Sequence, residues 1–135
     1  KFLGYKLDKQ GTPEFQYQVG DYMIVDRITP APQPADAKSD QPGLLRQFTI
    51  QLAKSGQTQT PAQSAQAGQL WFRAVVGTRL LRPSADSCAT ETGLTVFLPA
   101  ELASQAIVRQ TGGQSQWLAP LPPATETSFT IEYRW

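Results

Sequence analysis

Histidine is absent from this 135-residue chain, and cysteine occurs once, at Cys88. Without an imidazole there is no Ser-His-Asp or Cys-His couple, no histidine metal ligand and no side chain whose unperturbed pKa lies near neutrality. A single thiol cannot close an intrachain disulfide, form a Cys-x-x-Cys redox pair, build a zinc knuckle or attach haem through Cys-x-x-Cys-His. The residue types therefore predict no catalytic residue, no metal site and no cofactor held by this chain. Cys88 itself, between Ser87 and Ala89 in a breaker-rich stretch, reads as a free thiol in a polar loop.

Carboxylates are the next chemistry to weigh. A glycosidase needs two carboxyl groups across the sugar bond it cleaves, and Glu14, Asp26, Glu101 and Glu132 are the candidates. Their spacing singles out no pair. Glu14 and Glu132 fall on polar strand faces, where solvated charge is the ordinary reading. Asp26 is different, because it shares one side of a strand with Tyr22, Ile24 and Ile28. A buried carboxylate must be paired or hydrogen-bonded, so Arg27, Arg73 or backbone donors are expected beside it. Asp8 and Asp21 sit in turns but lack the Asp-x-Asp-x-Asp-Gly spacing of a calcium loop.

Aromatic rings remain, and a β-domain without a nucleophile can work by presenting them. Tyr5, Tyr17 and Tyr133 fall on apolar strand faces and are expected to fill the core. Trp71, Arg73 and Val75 form the second face of a strand whose first face (Leu70, Phe72, Ala74, Val76) is already apolar. Trp117 stands out in a Gln-rich hairpin. Large aromatics and arginine are the types enriched at interface centres. The expected partner-binding residues are Trp71, Arg73, Val75 and Trp117, with a carbohydrate-binding platform of Trp71 and Trp117 as the alternative.

The elements that must position these residues are strands. Alternation of apolar and polar residues, the signature of a half-buried strand, recurs at 3–7, 13–19, 44–52, 69–76 and most cleanly at the end, where Phe129, Ile131, Tyr133 and Trp135 share a side. Segment 22–29 is almost continuously apolar, as in a strand covered on both faces. Shorter strands are expected at 78–81, 94–98, 105–110 and 115–118, with 99–104 as a single helical turn. Asp8-Lys9-Gln10-Gly11 and Thr111-Gly112-Gly113 have turn chemistry. Long surface loops are expected at 30–43 and 54–68, which are rich in Pro, Gln, Ser and Ala and hold too little apolar surface to order themselves. The prediction is one all-β domain over 1–135, two packed antiparallel sheets of about nine or ten short strands, with a barrel as second choice. Its shared core should contain Phe15, Tyr17, Phe48, Ile50, Phe72, Val96, Phe129 and Ile131.

The totals agree with a single globular domain. Of its residues 40% are apolar, and a chain this long buries roughly two-thirds of its unfolded surface. The net charge of +1, with Lys and Arg scattered, is too weak for a nucleic-acid footprint. No apolar stretch approaches the ~20 residues of a membrane-spanning helix. Asparagine is missing altogether, which removes any N-glycosylation acceptor. Lys1 opens the sequence almost inside a strand pattern, so the chain is read as a processed form or a piece of a longer protein.

The opening stretch FLGYKLDKQGTPEFQYQVGDYMIVDRITP, with LLRQFTI, LWFRAVVG and the closing IEYRW, resembles a β-rich module of large exported proteins in planctomycete-type and related bacteria. Such proteins often combine c-type cytochrome domains with sugar-dehydrogenase-like propellers. Gly4, Tyr5, Asp8, Gly11, Pro13, Phe15 and Tyr17 match the module's pattern. Each has a folding reason: close approach for Gly4, a turn for Asp8 and Gly11, a strand start for Pro13. The pattern carries no active-site residues. The resemblance implies an extracytoplasmic, periplasmic setting and a non-catalytic accessory role, docked on a larger redox protein or complex containing c-type cytochrome.

Overall fold

The computed structural model describes residues 1–33, 42–52, 69–122 and 126–135. In chain order these form β1 (Phe2–Leu7), β2 (Pro13–Val19), β3 (Tyr22–Pro30), β4 (Gly43–Leu52), β5 (Trp71–Gly77), β6 (Leu80–Leu81), β7 (Ser87–Thr90) and β8 (Thr95–Phe97). The helical turn α1 (Ala100–Ala103), β9 (Ile107–Thr111), β10 (Gln114–Pro120) and β11 (Glu126–Arg134) complete the chain. Eight strands make one antiparallel sheet in the order β1-β2-β3-β4-β11-β8-β7-β6, and three make a second in the order β5-β10-β9. The all-β, two-sheet expectation holds, and the sheets do not close into a barrel. Among the described residues no helix is long and apolar enough to cross a membrane.

Local chemistry accounts for the first hairpin. The Asp8 carboxylate accepts the backbone N–H of Gln10 at 2.9 Å and of Thr12 at 2.8 Å, and Gly11 takes a φ of 80° that other residues avoid. Arg27 on β3 then reaches the same carboxylate at 2.6 Å. Gly4 has a different role from the one expected. No atom approaches the position of a Cβ there; its φ of 148° instead serves a bulge that shifts the β1–β2 register between Phe2 and Gly4.

The core lies where the small sheet covers the large one. Phe48 and Phe129 stack at 5.3 Å between ring centres, and Phe72 from β5 meets both edge-on at 5.1 and 5.3 Å. Ile50, Val96, Ile131, Trp117 and Ala119 surround them, and α1 plugs one end with Leu102 and Ala103. Six of the eight expected core residues therefore belong here. Phe15 and Tyr17 do not. They are half-buried on β2 and pack against Tyr5 and Phe2 of β1 at 6.0 and 5.6 Å. Strands are spaced about 4.8 Å apart, so three strands span roughly 10 Å and eight roughly 34 Å. The smaller sheet is too narrow to reach β1 and β2, and β3 lies at its margin, with Tyr22 and Ile24 packed against the core. Tyr5 is consequently 66% exposed, contrary to the core position expected of it, and every residue from Tyr22 to Val25 on β3 is half-buried rather than covered on both faces.

Three further expectations are corrected. Segment 82–92, read as a connection, contains β7, so the strands among the described residues number eleven. Cys88 lies on that strand, fully buried in the core and not in a polar loop; burial pushes its thiol pKa up, partly offset by Arg82. Asp26 is fully buried as expected, but its partner is Arg46, whose Nη2 donates at 2.5 Å and whose Nε donates at 3.3 Å. Arg27 is held by Asp8 instead. Arg46 sits on β4 opposite Ile28, two residues from the pairing of Asp26 with Phe48, a diagonal only the register reveals. The expected loop at 54–68 lies outside the described residues, as does 34–41 of the first loop.

Candidate functional site

The outer face of the small sheet forms a concavity of about 540 Å³ lined by Trp71, Arg73, Ile107, Arg109, Gln116 and Leu118. The ladder explains this grouping. On the central strand β10, Leu118 pairs with Arg73 of β5 on one side and Ile107 of β9 on the other, while Gln116 pairs with Arg109. Pro120 pairs with Trp71 at the end of the same row. Residues opposite one another in a ladder share a face, and residues two apart on a strand do too. The two-residue turn at Gly112 and Gly113, with φ of 58° and 77°, joins β9 to β10 in the backbone conformation that fits the twist of paired strands.

Of the four residues expected to bind a partner, the structure brings two to this face. Trp71 is 45% exposed and Arg73 is exposed beside it. Val75 is buried in the core, because β5 carries a bulge: Trp117 pairs with Val75 and the next residue, Leu118, with Arg73. The extra residue, Ala74, resets the alternation, so Ala74 and Val75 both turn inward and Val75 leaves the Trp71–Arg73 face. Trp117 is fully buried. It belongs to an inward set with Ser115, Ala119 and Leu121, whose small members make room for the indole. Arg82 covers its ring at 5.1 Å, and the indole Nε1 finds no hydrogen-bond partner among the described residues. A sugar platform made of both tryptophans is therefore excluded.

Ile107, Arg109, Gln116 and Leu118 went unnoticed in the sequence. A signal was present, since Ile107 and Arg109 are two apart and so are Gln116 and Leu118, but nothing in the residue types separates that face from an ordinary solvated one. Ile107 is 48% exposed on the finished sheet. Leu118, at 7%, is covered by its neighbours along the groove floor.

The electrostatics are one-sided. Arg73 and Arg109 form no ion pair with any described residue, and no carboxylate lines the concavity. Four other cations are spent structurally: Lys6 on Glu14 at 2.8 Å, Arg46 on Asp26, Arg27 on Asp8 and Arg134 on Glu132 at 2.5 Å. Three of the four carboxylates weighed for glycosidase chemistry, Glu14, Asp26 and Glu132, are thus each engaged by a cation on their own sheet, and Glu101 is exposed on α1. Among the described residues no three His, Cys, Asp or Glu side chains gather as a metal site. The groove itself offers an indole face, two aliphatic side chains, an amide and two guanidinium groups. Such groups are suited to contact, and none is a nucleophile or a base. Compared with known protein families, curated proteins and solved structures, the chain matches none.

Proposed function

We propose that this domain is a non-catalytic docking module whose contact surface is the outer face of the β5-β10-β9 sheet. One observation carries the reading: Trp71 and Ile107 are 45% and 48% exposed on a concave face that also holds two arginines without ion partners among the described residues. Aromatics and arginine are the types that dominate interface centres. A fold that places them together in water leaves the energy of covering them to a partner. Stacking on a flat sugar surface suits the site less well, because its one exposed indole has no second ring beside it.

The resemblance of the opening hairpin and of three later stretches supplies the setting we propose. The module would sit outside the cytoplasm, docked on a larger redox protein that contains c-type cytochrome. Photo-crosslinking in the native cell tests the docking face. A crosslinker at Gln116, in the groove, is expected to capture one defined protein, whereas the same group at Thr130, exposed on β11, captures none. Trp71→Ala should lower the yield about tenfold or more, as for an interface anchor. Capture from both positions alike, or saturable oligosaccharide binding that quenches Trp71 without any protein adduct, would overturn the proposal.

A further inference from the structure

We infer that the free edge of β9 accepts an added strand from an extended, acidic segment of the partner. The inference rests on the docking reading and names the chemistry of what docks. Among the described residues β9 pairs only with β10, and all five of its residues are exposed, with Ile107 at 48% and Val108 at 46%. A two-residue turn makes its flanking residues, Thr111 and Gln114, a hydrogen-bonded pair. Ladder alternation then turns the N–H and C=O groups of Gln110 and Val108 away from β10, toward the open edge.

Proteins ordinarily guard such edges with short strands, bulges, proline or lysine, and the other three edges here are guarded. β1 has its bulge between Phe2 and Gly4 and carries Lys6; β6 has two residues; β5 has the bulge at Ala74. β9 runs in regular register from Thr111 to Ile107 and contains neither proline nor lysine. Among the described residues its one guard is the charged side chain of Arg109, without a bulge, a proline or a two-residue length.

Charge selects the occupant. Arg109 is the central residue of β9 and faces the groove with Ile107, and Arg73 stands across β10 on the same face. A strand added to β9 presents every second side chain to that face, where glutamate or aspartate would meet Arg109 in place of the missing ion pair. A second copy of this chain is disfavoured: antiparallel pairing of β9 with itself in full overlap sets Arg109 directly opposite Arg109, a like-charge pair. Arg109 thus blocks self-association and favours an acidic strand.

The test uses the full chain, isotope-labelled for NMR, and a short capped peptide of alternating glutamate and valine, with a lysine-valine twin. Shifts on adding the glutamate peptide should concentrate on β9 and the groove, and binding should exceed that of the twin by about tenfold. Arg109→Glu should reverse that preference, and Val108→Pro, which removes an edge donor, should abolish both. Equal affinity for the two peptides, shifts away from β9, or dimerisation through β9 in sedimentation would overturn the inference. Should Gln116 still crosslink a protein while the acidic peptide fails, docking stands and strand addition falls. Should the peptide bind while Gln116 captures nothing, the docking reading is the one that fails.

Discussion

On β4 and β11, Phe48, Ile50, Phe129 and Ile131 are each at most 9% exposed; on β1, Phe2, Tyr5 and Leu7 are 55%, 66% and 60% exposed. Both sets lie on the same side of one continuous sheet, joined through the pairs Tyr5–Phe15, Phe15–Asp26, Asp26–Phe48 and Phe48–Phe129. The alternation is unbroken along β4 and β11, and on β1 it runs from Gly4 to Leu7, with the bulge after Phe2 bringing that ring to the same side. Only the small sheet differs, because it stands over one half and not the other. Alternation tells which way a side chain points, and says nothing of whether anything lies there. The Asp26–Arg46 pair marks the seam, with the guanidinium also over the Phe48 ring at 4.9 Å and the Tyr133 ring at 5.8 Å. Burial alone would lower the Arg46 pKa, but the Asp26 carboxylate outweighs it and holds the guanidinium above its usual value.

The contrast can be broken by mutation. Phe129→Ala, in the covered half, should cost about 3–5 kcal/mol in urea denaturation, from lost transfer energy plus the cavity left between Phe48 and Phe72. A cost near 1 kcal/mol would mean that the two sheets do not pack as described. At the seam, Arg46→Ala leaves Asp26 fully buried without its cation, and about 3 kcal/mol of stability should be lost. Full stability in that variant at neutral pH would show that Asp26 has other means of satisfaction.

In the uncovered half, Tyr5→Ala should change stability by only about 0.5 kcal/mol, the ordinary scale for surface positions. A loss comparable to that of Phe129→Ala would erase the distinction between the halves. The smallest effect is expected at Glu91, an exposed side chain beyond the small sheet. Its carboxylate is held by the Thr78 hydroxyl and by the backbone N–H groups of Thr78 and Arg79, which bring its pKa from 4.5 to about 2. A depressed folded-state pKa gives stability that is complete above the unfolded value and is lost as pH falls through the folded one. The denaturation midpoint should therefore decline between about pH 4.5 and about pH 2, and Glu91→Gln should flatten that part of the profile. An unchanged acid limb would remove Glu91 from the account.

Much of the fold was legible residue by residue. The turn at Asp8 and Gly11, the glycine turn at Gly112 and Gly113, the terminal strand ending at Arg134 and the aromatic trio Phe48, Phe72 and Phe129 all follow from local pattern and turn chemistry. The site was half legible. Trp71 and Arg73 stood out by type, but Val75 and Trp117 were assigned to the wrong side. Both errors concern the same sheet. The bulge at Ala74 shifts the phase of β5, and no glycine or proline there announces it. On β10 the informative members of the inward set were the small residues Ser115 and Ala119, which carry little signal alone.

By itself the sequence determined the all-β class, the main turns, the direction of most side chains and the absence of imidazole chemistry. These depend on interactions within a few residues or on composition, so they can be read without knowing what lies beside a strand. Tertiary structure alone decided which half of the large sheet is covered, which cation meets Asp26 and which six side chains line the groove. Those outcomes depend on register between strands far apart in the chain and on the relative widths of two sheets. Arg46 and Asp26 are 20 residues apart, and Arg73 and Arg109 come to one face only because β10 lies between their strands.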